Sequence, residues 1–243
     1  MNRVLEHIEQ QKQSLARLPL FAFVEDRAID PRQRLGFAPC LAPMAMGFAD
    51  LMRFGMSSLD GLPQVLNAQT VMDERHWEDF MQDMDTLGMN GNMDLVDSLT
   101  LLWGDHCAKT RQFINKLMAM VRGATPILRL VILEAVEAAA DVGFSRFRQA
   151  GRDFTRQTGK PLYYFGDAHQ APEASSGEQG TRGLRALISS HPWTPEEEAR
   201  ALELVDEVGA CFTAMAADLL EYAVKARQAG PLWPLALETH RVR

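Results

Sequence analysis

The stretch WTPEEEARALELVDEVGACFTAMAADLLEYAVKARQAG, Trp193 to Gly230, decides the fold class. Thr194 is placed to cap a helix, Pro195 sits at its first position, and Glu197 completes a capping box, so the start is marked three ways. Gly230 supplies the stop. Between these marks Leu202, Val205, Val208, Phe212, Met215, Leu219 and Tyr222 recur at steps of three and four, which gathers them on one face. A helix of this length with one apolar face needs helical partners, and the rest of the chain offers them.

The device repeats. IDPRQRLGFAP puts Asp30 at an N-cap and Pro31 after it, and ATPILRL does the same with Thr125 and Pro126. No convincing period-2 run marks a strand. The pattern predicts about seven to eight helices, roughly 2–17, 31–56, 59–87, 92–122, 126–158, 165–175, 181–190 and 195–228. No internal repeat and no stretch with the composition of a domain linker divides them. The expectation is one all-α domain over residues 1–243, with a C-terminal tail from about 231 to 243 that packs through Trp233.

Composition limits the function classes. The 243 residues are 47% hydrophobic and 23% charged, with a net charge of −7. That balance fits a soluble globular chain and carries no basic stripe, so nucleic acid is not an expected partner. The most apolar run, Phe37 to Phe54, is interrupted by Pro39, Pro43, Asp50 and Arg53, which makes it a core helix and not a membrane span. No signal peptide opens the chain, and Cys40, Cys107 and Cys211 form no CxxC pair. The expectation is a cytoplasmic protein with reduced thiols. Long amphipathic helices suit a homodimer.

Three segments carry candidate ligand groups. In VMDERHWEDF, Asp73 and His76 stand three apart, about 60° around a helix, where a carboxylate and an imidazole can chelate one ion; an exposed charged turn has the same spacing. In ILRLVILEAVEAAADVGFSRF, Glu134, Glu137 and Asp141 form one acidic stripe on an otherwise apolar helix. Buried, the stripe needs a cation or hydrogen-bond donors; otherwise it is the solvent side of a core helix. In YYFGDAHQAPEASSGEQG, Tyr163 to Gly180, His169, Glu173 and Ser176 share a face if the segment is helical. Mixed imidazole and carboxylate ligands suit non-heme iron or manganese better than structural zinc. His106, in WGDHCAKT, reads as a partly buried residue in mid-helix.

The order resembles that of the heme-oxygenase-like diiron oxidases and oxygenases: (D/E)-x-x-H, an acidic residue on a later helix, then H-x-x-x-(D/E)-x-x-H. Their all-α fold is shared with thiaminase-like and PQQ-synthesis proteins. APMAMGFADLMRF, DERHWEDFMQDMDTLG, LRLVILEAVEAAADVGFSRF and YYFGDAHQAPE resemble family segments in family order, with RHW and YFGDxH the more specific parts. The resemblance implies a single heme-oxygenase-like bundle and a metal site of Asp73, His76, Glu137, His169 and Glu173, with Glu134 as the fallback for Glu137. The family's last histidine falls on Ser176, a poor ligand beside an imidazole. Pro172 and the SSGEQG run that follows weaken the helix meant to carry it. Glu178 serves in its place only if the chain bends.

The activity implied is O2-activating oxidation of a small carboxylate- or amine-containing metabolite, with one or two Fe(II) ions as cofactor and O2 as co-substrate. Arg129 or Arg146 would meet a substrate carboxylate. Two alternatives stand beside it: an accessory or binding protein whose metal site has degenerated, and a cofactor-free enzyme on the same fold using Tyr163, Tyr164, His169 and Glu137 as acids and bases.

Overall fold

The computed structural model describes residues 2–56, 76–89, 94–167 and 183–229. The helices are α1 (Arg3–Leu15), α2 (Pro19–Glu25), α3 (Pro31–Arg34), α4 (Ala38–Met56), α5 (His76–Thr86), α6 (Leu95–Trp103), α7 (Ala108–Gly123), α8 (Pro126–Thr158), α9 (183–190) and α10 (Pro195–Ala229), with a short 3-10 turn at Asp105–Cys107 before α7. The described residues contain no strand. The chain is an all-α bundle.

α8 and α10 form its axis. α10 packs on α8, α7 and α1, α1 also lies on α8, and α4 pairs with α7. The marks read at the head of α10 are present: Glu197 N–H donates to Thr194 Oγ1 at 3.2 Å, and Thr194 N–H donates to Glu197 Oε2 at 3.4 Å. Asp30 accepts from Arg32 N–H at 2.9 Å. Thr125 makes no side-chain cap, so Pro126 alone marks that start. The predicted apolar face of α10 is buried from Val205 to Tyr222.

The departures have local causes. The expected helix 31–56 is two helices, because Leu35, Gly36 and Phe37 form a turn that drives the Leu35 and Phe37 side chains wholly into the core. The expected helix 92–122 breaks at Gly104, which adopts extended backbone (ψ 177°) between α6 and the 3-10 turn. His106 therefore sits in that turn and not in mid-helix, edge-on to Tyr222 at 6.2 Å. α2 was not expected: Pro19 starts it, but seven residues are too few to display a period. Of the expected helix 165–175, Phe165 and Gly166 are in a turn and bend and Asp167 is in a 3-10 turn; the remainder lies outside the described residues, as do the tail from 230 and all of 57–75.

The segment 160–167 doubles back after α8. Gly159 ends the helix in the left-handed region (φ 73°), a conformation that costs glycine little. The returning chain then crosses α8 at Gly151, where an added Cβ would lie 2.1 Å from the carbonyl oxygen of Phe165. This close approach seats Phe165 against Phe147 and Phe37, with ring centroids 6.1 Å away in each case. Gly151→Ala must push the segment off the helix. A loss of about 1–3 kcal/mol is expected, seen as a fall in Tm of roughly 3–10 °C by scanning fluorimetry.

Candidate metal centre

His76 opens α5 and is half-buried. Burial lowers its pKa to about 4, so the imidazole is neutral at pH 7. On α8 the acidic stripe grades from core to solvent. Glu134 is 2% exposed, Glu137 is half-buried, and Asp141 is exposed and paired with Lys12. The stripe is therefore core at its Glu134 end and solvent side at its Asp141 end. Burial raises the Glu134 pKa to about 7, against the opposing charges of Arg185 and Lys12. Its Oε1 lies 3.5 Å from Arg185 Nη1, while its Oε2 is buried without a hydrogen-bond partner. A half-satisfied carboxylate on a central helix costs free energy unless something else completes it.

Asp73, His169, Glu173, Ser176 and Glu178 lie outside the described residues. Among the described residues no three His, Cys, Asp or Glu side chains converge as a metal set. The described residues do fix what stands on either side of the third ligand segment. Before it, Asp83 of α5, wholly buried, accepts N–H bonds from Tyr163 at 2.7 Å and Phe165 at 2.9 Å. Arg152 of α8 pairs with Asp167 at 2.7 Å. After it, α9 buries Leu184 and Ile188 and sends Arg185 to Glu134. The N-cap residue of α1, Asn2, donates to Ile188 O at 2.9 Å and holds the far end of α9. Residues 162–167 and 183–190 are thus both fastened to the helix that carries Glu134 and Glu137.

An aromatic layer joins that helix to α5. Tyr164 is wedged between Phe80 and Phe144, edge-on to both with centroids 5.2 Å apart. Phe80 lies one turn beyond His76, and Phe144 two turns beyond Glu137. By helical phase His76 shares a face with Phe80, and Glu137 with Phe144. Both ligand candidates therefore stand on the helix faces that meet at Tyr164.

Other expectations are altered. Arg146 is taken by Glu25 at 2.6 Å, and Arg129 donates to the carbonyl of Ala124 at 3.1 Å, so neither is a free anchor for a substrate carboxylate. Burial pushes the Tyr164 phenol far above its ordinary pKa, which disfavours it as a proton donor at neutral pH. Cys40 and Cys107, distant in sequence, meet in the core: both are buried, and the Cys40 thiol donates to the carbonyl of His106 at 2.8 Å. Three positioning residues escaped the sequence: Asp83, Gly151 and Arg185. Asp83 lies in the acid-rich MQDMDT, where nothing local separates it from its exposed neighbour Asp85.

No helix among the described residues is long and apolar enough to cross a membrane. No protein-family model and no curated sequence matches the chain. Among solved structures it is similar to a TenA homologue from Pyrococcus furiosus, with a TM-score of 0.60 and 12% identity over 89% of this chain and 97% of that one. At that identity the likeness carries the fold alone: an all-α bundle of the heme-oxygenase-like kind shared with thiaminase-like proteins.

Proposed function

We propose that the chain is a non-heme iron oxidase or oxygenase that activates O2 toward a small carboxylate- or amine-containing metabolite. The observation that carries this reading is the buried, half-satisfied carboxylate of Glu134 on the helix to which residues 162–167 and 183–190 are fastened. The neutral imidazole of His76 supports it. Asp73, His76 and Glu137, or Glu134 in its place, would hold one Fe(II); His169 and Glu173 would hold a second. Bound iron supplies the redox chemistry with O2.

The chain's own part is to orient and to shield. The aromatic layer of Phe80, Tyr164 and Phe144 joins the helices that carry His76 and Glu137 and would limit the access of water from that side. Ser176, at the position where the resembled family has a sixth ligand, would supply no imidazole to bound iron. The half-satisfied Glu134 is equally compatible with a site that has lost its metal, so iron binding decides between the two.

Anaerobic Fe(II) loading followed by metal analysis and O2-uptake measurement tests the proposal. Iron at one or two per chain, lost in His76→Ala, with O2 uptake by the loaded wild type, is the expected result. Ser176→His should raise iron affinity by about tenfold if only one ligand is missing. Iron at background levels in both the wild type and Ser176→His would overturn the reading in favour of a degenerate site.

A further inference from the structure

The second half of α8 carries Arg148, Arg152 and Arg156 at steps of four, one cationic stripe on a chain of net charge −7. Arg152 and Arg156 line a cleft of about 670 Å³ together with Arg27, Gln149, Thr155, Leu162, Pro161 and Tyr163. That volume lies within the range of about 300–1,000 Å³ usual for organic ligand sites.

The charges in and behind the cleft do not balance. Asp153 is shared by Arg34 at 2.8 Å, Arg27 at 4.0 Å and Arg156. Arg34 does not line the cleft: it is 2% exposed and also donates to the carbonyl of Val24. Burial alone would raise the Asp153 pKa, but its arginine partners outweigh burial and hold it low, so it stays charged. Asp167 neutralises Arg152. Four guanidinium groups therefore share two carboxylates, and Arg27, Arg152 and Arg156 are each more than half exposed.

We propose that this cleft binds a phosphate monoester, with Arg27, Arg152 and Arg156 gripping the phosphate and Tyr163, Leu162 and Pro161 receiving the organic part. One guanidinium fork matches one carboxylate; several around one cleft match a dianion with three terminal oxygens. The apolar wall gives the ester an advantage over free phosphate. Asp167 competes with the ligand for Arg152, so its carboxylate is the internal stand-in that the phosphate displaces. None of this requires metal, and the inference stands or falls apart from the iron reading.

Isothermal titration at low salt tests it, with phenyl phosphate, inorganic phosphate and benzoate as probes. Phenyl phosphate should bind tighter than inorganic phosphate, and benzoate weakest. Arg27→Gln with Arg156→Gln, which spares the Arg34–Asp153 pair, should weaken phenyl phosphate by about tenfold or more. Asp167→Asn should strengthen it several-fold, the opposite sign. Arg200→Gln, a change on α10 remote from the cleft in sequence and paired with Glu203 and Glu207, is the charge control and should leave affinity unchanged. Equal binding of benzoate and phenyl phosphate, an undiminished affinity in the double variant, or a loss in Arg200→Gln as large as in the double variant would each overturn the inference.

Discussion

Asp83→Ala should cost the protein about 2–6 kcal/mol and release the segment 162–167 from α5. The magnitude follows from what is left behind. Two buried N–H groups, of Tyr163 and Phe165, lose their acceptor, and each unmade bond in a dry site costs about 1–3 kcal/mol. Phe80 and Phe144 then lose the fixed position of the Tyr164 ring. Hydrogen exchange at the Tyr163 and Phe165 amides should accelerate along with the fall in Tm. Asp83→Asn separates shape from charge. Burial raises the Asp83 pKa to about 6, although the N–H bonds from Phe165 and Tyr163 pull it down. Since the folded pKa exceeds the ordinary 3.8, this group's contribution is fully present below pH 3.8 and is lost as pH rises through 6. Asp83→Asn should therefore lose most relative to wild type at acid pH, and the gap should narrow above pH 6. A gap that widens above pH 6 would mean that the ionised carboxylate is the form the two amides hold.

The parts of the fold legible from the chain were those encoded locally. α8 and α10 are long, carry Pro at the first position and show a period over many turns, so their bounds could be read almost to the residue. The breaks at Gly36 and Gly104 were not legible, because each interrupts an apolar run whose period continues on both sides; the turn is set by where Leu35 and Phe37 must be buried. The candidate site divides in the same way. The stripe from Glu134 to Asp141 was visible as spacing, but whether each member is dry depends on Arg185 and Lys12, which lie far off in sequence. The arginines of the α8 cleft carry no local signal for a related reason: a row of charges on a helix usually faces water, and only the return of residues 160–167 makes a cleft of it. Asp83 has no local signature at all, since its partners follow it by 80 and 82 residues.

Glu134→Gln should stabilise the metal-free protein above neutral pH, a sign opposite to that of most core substitutions. Glu134 is 2% exposed, and burial lifts its pKa from 4.5 to about 7. A group whose folded pKa is raised contributes stability that is complete below the unfolded value and is lost as pH rises through the folded one. The loss expected between pH 4.5 and pH 8 is about 3 kcal/mol, at 1.36 kcal/mol per unit. Glutamine has the same shape and no charge to bury, so it should be nearly neutral at pH 4.5 and more stable than wild type by up to that amount at pH 8. Denaturant melts in the presence of a chelator at the two pH values measure the difference. Fe(II) adds a second, independent axis. A cation that binds the ionised carboxylate stabilises the wild type by mass action, and more at pH 8 than at pH 5, because less protonation then competes. Glu134→Gln should lose part of that iron-dependent gain if Glu134 is a ligand, and keep all of it if Glu137 is. Should Glu134→Gln instead destabilise the chelated protein at pH 8, the carboxylate is held by its ion pair with Arg185, and its burial reflects architecture and not a place kept for metal.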